Sequence, residues 1–110
     1  MDIGFATTKL EKVLNSEALI RREYGDVNGH KIMLRMAVFA AAPSLDHVPK
    51  TKPERCHQLT GDRDEGFAVD IEHPFRLLFR AQEPIPRKPD GGIDLTAVTR
   101  IVIIGIKDYH

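Results

Sequence analysis

A single cysteine, Cys56, stands in 110 residues, which excludes an internal disulfide framework and any cysteine-based zinc site. Long apolar runs are also missing. The longest, Ile32 to Pro43 (broken by Arg35) and Ile101 to Ile106, are too short to cross a bilayer. The start, Met-Asp-Ile-Gly-Phe, lacks the basic opening and apolar stretch of a secretory signal, so a soluble cytoplasmic protein is expected. The five histidines include no His-x-His or His-Glu-x-x-His spacing, and no metal or other cofactor is expected. Neither internal repeats nor low-complexity segments occur.

Net charge is missing too: 16 basic residues offset 16 acidic ones. A nucleic-acid binder usually neutralises phosphates with a basic surface. The balance is uneven, with six basic and five acidic side chains over residues 1–45 against ten and eleven over 46–110. Any RNA-binding surface must therefore be a local cluster. What is present in quantity is apolar material, 42% of residues, enough for one domain over 1–110 with its own core.

Residues 2–7 read as a short first strand. Thr8-Lys-Leu-Glu11 has capping-box spacing, and Leu10, Val13, Leu14 and Ala18 recur at helical intervals to about Tyr24. Gly25-Asp-Val-Asn-Gly29 breaks the pattern. A second helix is predicted from about His30 to Ala42, stopped by Pro43. Asn28-Gly29 also has the form of a hairpin turn, but the alanine-rich stretch up to Ala42 favours the helix. From Pro43 to Arg55 three prolines predict loop, with at most one helical turn.

Strands are predicted from Cys56 to Thr60, Phe67 to Ile71, Phe75 to Phe79 and Val98 to Ile106. The last of these is apolar on both faces, as in a central strand covered on both sides. Glu83 to Asp94, with three prolines and Gly91-Gly92, is a long hairpin connection. The order is strand, two helices, then an antiparallel meander: an α+β layer architecture with the helices packed on one sheet.

Three segments carry a family likeness. His57-Gln-Leu-Thr-Gly-Asp-Arg63 leads into Gly66-Phe-Ala-Val-Asp-Ile71, then Phe75-Arg-Leu-Leu-Phe79 follows, and the chain ends Asp108-Tyr-His110. In this order and spacing they resemble the HigB-type toxins of the RelE/ParE superfamily. The resemblance implies a RelE-like fold and a metal-free, ribosome-dependent mRNA endonuclease that inhibits translation. The implied partners are the ribosome with its mRNA and a helix-turn-helix antitoxin, with operator DNA bound only through that antitoxin and no membrane. The implied catalytic positions are His57, Arg76, Asp108, Tyr109 and His110. Many members carry a lysine where this chain has Thr60, and a second arginine where it has Glu72-His73-Pro74. Both differences remove positive charge, leaving Arg63, Arg80 and Lys107, and the patch Lys50, Lys52 and Arg55, as RNA-binding candidates.

Metal-free RNA cleavage needs a base for the 2′-hydroxyl, cations for the phosphorane and an acid for the leaving 5′-oxygen. His57 and His110 would supply the acid–base pair, provided the last strand lies beside the one holding His57. Arg76 would offer a fork of donors to two phosphate oxygens. Asp108 would orient a histidine, and Tyr109 would stack on a base or donate its hydroxyl to the phosphate.

Plainer roles compete at each position. His57 also fits a strand end, Arg76 a surface arginine, and Asp108-Tyr-His110 a frayed terminus. His30 and His47 fit helix-end or loop sites, and His73 an edge beside Pro74. Cys56 fits a small apolar strand residue. Gly61 and Asp62 fit a turn. At the level of function, a catalytically weakened antitoxin-binding or co-repressor module of the same fold competes with the nuclease. A gyrase inhibitor of ParE type is a third reading, against which the retained histidines count.

Overall fold

The computed structural model of the chain describes residues 1–61 and 65–108. Its strands and helices are β1 (Asp2–Phe5), α1 (Thr8–Leu14), α2 (Glu17–Ala41), β2 (His57–Gln58), β3 (Phe67–Asp70), β4 (Phe75–Ala81) and β5 (Arg100–Asp108). Short helical turns at Leu45–His47 and Leu95–Ala97 interrupt the two longest connections.

Hydroxyl caps decide where the helices begin, and they differ from the sequence expectation. Thr7, in extended geometry, caps α1 with Oγ1 accepting from the Leu10 N–H at 3.1 Å. Thr8 is thus the first helical residue, not the cap of a Thr8–Glu11 box. Nor does this helix reach Tyr24. It ends at Leu14, because the Ser16 hydroxyl accepts from the Leu19 N–H at 3.2 Å and starts α2 afresh.

Gly25 breaks the helix as expected, with φ 83° and ψ 173°, a conformation open to glycine. The break is one residue long, so Asn28-Gly29 lies within α2 rather than in a turn. The two arms of α2 fold sharply against each other. A methyl group on Gly29 would lie 3.3 Å from Cγ of Arg21. In an uninterrupted helix a residue eight positions back would be about 12 Å away. At the far end, the α-ammonium of Met1 donates to the carbonyls of Phe39, Ala40 and Ala42 at 3.0, 3.2 and 2.6 Å. It supplies the positive charge that the last turn of α2 lacks.

The five strands lie in the order β1-β5-β4-β3-β2. β2 to β5 form the expected antiparallel meander, but β1 pairs parallel with β5, so the sheet is mixed. Parallel pairing requires a long connection, and both helices and the meander separate β1 from β5. Phe67, Val69, Leu77, Phe79, Ile101 and Ile103 point to the helices and share one core with Ile20, Ile32 and Phe39. The rings of Phe39 and Phe79 sit 4.8 Å apart at 58°. Strand alternation then gives Ala68, Asp70, Arg76, Leu78 and Arg80 to the opposite face, which is open at Asp70, Arg76 and Arg80 and buried at Ala68 and Leu78.

β5 is an interior strand, yet its cover is partial. Ile101 to Ile103 are buried. Ile104 is the extra residue of a bulge between the Leu78–Gly105 and Phe79–Ile103 pairs and is exposed, as are Lys107 and Asp108. The molecule is therefore an α+β fold of two helices on one face of a five-stranded mixed sheet.

Phe39 is fully buried and joins helix to sheet. Phe39→Ala should cost about 3–5 kcal/mol of stability, read as a lower urea midpoint with an unchanged m-value.

Candidate functional site

Cross-strand register assembles a charged row at one end of the open face. Asp70 of β3 stands opposite Arg76 of β4, which stands opposite Lys107 of β5. His57 begins β2 opposite Ala68, one row further along the same face.

Asp70 is the centre of this group. Arg55, just before β2, donates from Nε to Oδ2 at 2.6 Å and from a terminal nitrogen to Oδ1 at 3.0 Å. The Nε of Arg76 lies 3.7 Å from Oδ1. Burial acts to raise the Asp70 carboxyl. The Arg55 hydrogen bonds and the charges of Arg55, Arg76 and His57 outweigh burial and hold the group below its ordinary value. The Asp70 backbone is fixed as well: its N–H donates to the Glu54 carbonyl at 2.8 Å, and its carbonyl accepts from Nε of Arg35 at 2.7 Å.

Arg35 itself is only 5% exposed and also donates to the Pro53 carbonyl at 3.5 Å. With Asn28 and Lys31 it forms a polar stripe on α2 that grips the end of β3 and the connection that follows it. The Asn28 side-chain oxygen accepts from the Glu72 N–H at 2.9 Å, and Lys31 pairs with the Glu72 carboxylate.

Nδ1 of His57 lies 2.8 Å from the Arg55 carbonyl. A carbonyl only accepts, so Nδ1 carries a proton, and Nε2 holds the lone pair of the neutral ring. Beside this, Arg55, Asp70, His73, Phe75 and Arg76 line a polar cavity of about 60 Å³. It has room for a water or for an oxygen of an incoming anion.

The expected site residues are thus partly gathered and partly dispersed. Arg55, His57, Arg76 and Lys107 share one end of the open face. Arg55 is committed to Asp70 and is not a free member of a basic patch. Lys50 pairs with Asp46 at 3.4 Å and Lys52 is exposed, on the same turn, which the Arg55 N–H closes onto the Thr51 carbonyl. Arg80 lies four residues beyond Arg76, in a separate apolar notch with Leu59, Leu78 and Ile104. Asp108 stands opposite Phe75, so alternation sends it to the other face from Arg76 and Lys107. The last strand does not lie beside the strand of His57, since β4 and β3 intervene. That separates their axes by about 14 Å. Arg63, Tyr109 and His110 lie outside the described residues.

Two residues escaped the sequence reading. Asp70 looked like one polar position in an alternating strand. Arg35 left a clear trace, a lone charge in an apolar helical run three residues from Ile32 and four from Phe39, both buried. His73, expected at an edge, lines the cavity. His30 lies inside α2 rather than at its end, and His47 bonds Ser44 at 2.9 Å. Gly61 adopts the turn conformation expected of it, with φ 72°. Burial pushes the Cys56 thiol up to about 11, so it stays protonated and unreactive at neutral pH.

No protein-family model, curated protein or solved structure matches the chain. Among the described residues no helix is long and apolar enough to cross a membrane, and no cluster of His, Cys, Asp and Glu is placed to hold a metal ion.

The lowered Asp70 carboxyl has a consequence for acid stability. Below its ordinary value in the folded chain, it takes up its proton later than in the unfolded chain. Its stabilisation is complete above about pH 4 and is lost as pH falls toward the folded value. Urea titrations of wild type and Asp70→Asn should differ at neutral pH and converge in strong acid. A constant gap would show that Asp70 contributes nothing through its charge.

Proposed function

We propose that the chain is the toxin of a type II toxin–antitoxin pair, a RelE-like protein of HigB type that cuts ribosome-bound mRNA without a metal. The three ordered motifs support the family reading. One observation carries the chemistry: Nδ1 of His57 lies 2.8 Å from the Arg55 carbonyl, which assigns the lone pair of the neutral ring to Nε2, on the same sheet face as Arg76 and Lys107. On this reading Nε2 takes the proton of a ribose 2′-hydroxyl. The freed oxygen attacks the adjacent phosphorus, the bond to the 5′-oxygen breaks, and a 2′,3′-cyclic phosphate and a 5′-hydroxyl result. Arg76 holds the phosphate oxygens as negative charge builds, and Lys107, its neighbour across to β5, adds positive charge on the side of the face away from His57. By the resemblance the acid that protonates the 5′-oxygen comes from the chain terminus, Tyr109 or His110; Asp108 faces the other side of the sheet and is not part of this step. The cytoplasmic site of action, the ribosome and the helix-turn-helix antitoxin as partners follow from the same reading.

A weakened, antitoxin-binding co-repressor is favoured by one feature. The Asp70 carboxylate, 3.7 Å from Arg76 and paired with Arg55, offsets part of the charge that a phosphate would meet, and Thr60 adds none.

Programmed ribosomes incubated with wild type should yield mRNA cut to 2′,3′-cyclic ends. His57→Ala and Arg76→Ala should each slow cutting by about 10²–10⁴-fold and relieve growth arrest on expression. Equal arrest by wild type and both variants would sink the catalytic reading. Tight antitoxin binding with no cutting by wild type would establish the co-repressor instead.

A further inference from the structure

Arg55 has a backbone that few side chains adopt. Its φ is 46°, in the left-handed region where a residue other than glycine is uncommon. Two sets of bonds hold it there. Its N–H donates to the Thr51 carbonyl at 2.8 Å, and its guanidinium makes the two-pronged contact with Asp70. The carbonyl of this same turned residue receives Nδ1–H of His57. The direction in which the Arg55 carbonyl points is therefore coupled to where its guanidinium is held.

We propose that Asp70 is the positioning residue of this site, fixing the tautomer and orientation of the His57 ring by clamping Arg55. Asp70 is suited to this because it cannot drift. Its own N–H and carbonyl are tied to Glu54 and to the buried Arg35. Both carboxylate oxygens accept from Arg55, which leaves the group a clamp rather than a proton acceptor. Without the carboxylate, Arg55 relaxes from its left-handed conformation, its carbonyl swings away, and the His57 proton redistributes between the two ring nitrogens. The catalytic importance of this rests on the proposed nuclease reading; the control of the tautomer does not.

The test uses that separation. ¹⁵N shifts of the imidazole are recorded on histidine-labelled chain, with His57 assigned from the signal lost in His57→Gln. Wild type should show His57 as the Nδ1–H form. Asp70→Asn should move it to a mixture with the Nε2–H form, and Arg55→Ala, at a partly exposed side chain, should do the same. The double variant should add nothing beyond either single change. An unchanged Nδ1–H form in folded Asp70→Asn or in Arg55→Ala overturns the proposal. In the cleavage assay, Asp70→Asn should lower kcat by about 10²-fold, the scale of a misplaced reacting group, with KM nearly unchanged. A fall in binding alone would contradict the positioning role. If wild type cuts no RNA the nuclease reading fails, and the ¹⁵N spectra still decide this one.

Discussion

Asp70 closes β3 with polar contacts that lead to three other parts of the chain. Its carboxylate takes Arg55 from the segment before β2 and faces Arg76 across to β4. Its N–H meets Glu54, and its carbonyl meets Arg35 on the far side of the sheet. A residue held this way converts several separately weak interactions into one rigid junction. Exposed ion pairs contribute little alone. Here the pairing is partly buried and two-pronged, and the backbone beneath it is fixed, so geometry is specified as well as energy gained.

The helix side of the junction depends on α2. Asn28, Lys31 and Arg35 recur at intervals of three and four residues, the spacing of one helical face; the first two reach Glu72 in the β3–β4 connection, and Arg35 reaches Asp70 at the end of β3. Gly25 bends α2 just before this face, and Gly29, within it, lets the two arms approach closely. Two glycines that look like a loop signal therefore set the angle from which the helix grips the sheet. Ile32 and Phe39 enter the core from the same helix, so apolar packing and polar gripping are aligned by one element.

Local patterns made most elements legible. Alternation at Phe67, Val69 and Ile71 marked β3, and the prolines from Pro84 to Pro89 marked the long connection. Boundaries were less legible where neighbours offer equivalent chemistry. Thr7 and Thr8 are both capable caps, and Ser16 restarts a helix within an apparently continuous pattern. The parallel pairing of β1 with β5 joins residues about as far apart as the chain allows, and no local spacing encodes it. At the candidate site, His57 and Arg76 are legible through the family likeness, and Lys107 as one of the bases left where the likeness lacks its usual charges. The Arg55–Asp70–Arg35 network is not, since its members are ordinary charges in sequence and become partners only when α2, β3 and the segment before β2 converge. The row structure of the sheet also redistributes the candidates: Asp108 and Arg80 leave the group that Asp70 joins.

Arg35 gives the junction an unusual kind of independence. Its Nε and a terminal nitrogen donate to main-chain oxygens of Asp70 and Pro53, and a main-chain oxygen is present whatever side chain a position carries. The buried guanidinium thus supports a socket rather than a particular carboxylate. Substitutions at position 70 release Arg55 and so alter what the open face offers to a ligand, while the two main-chain contacts of Arg35 beneath them persist. Such a socket lets selection try new chemistry at this end of the sheet without first dismantling the core.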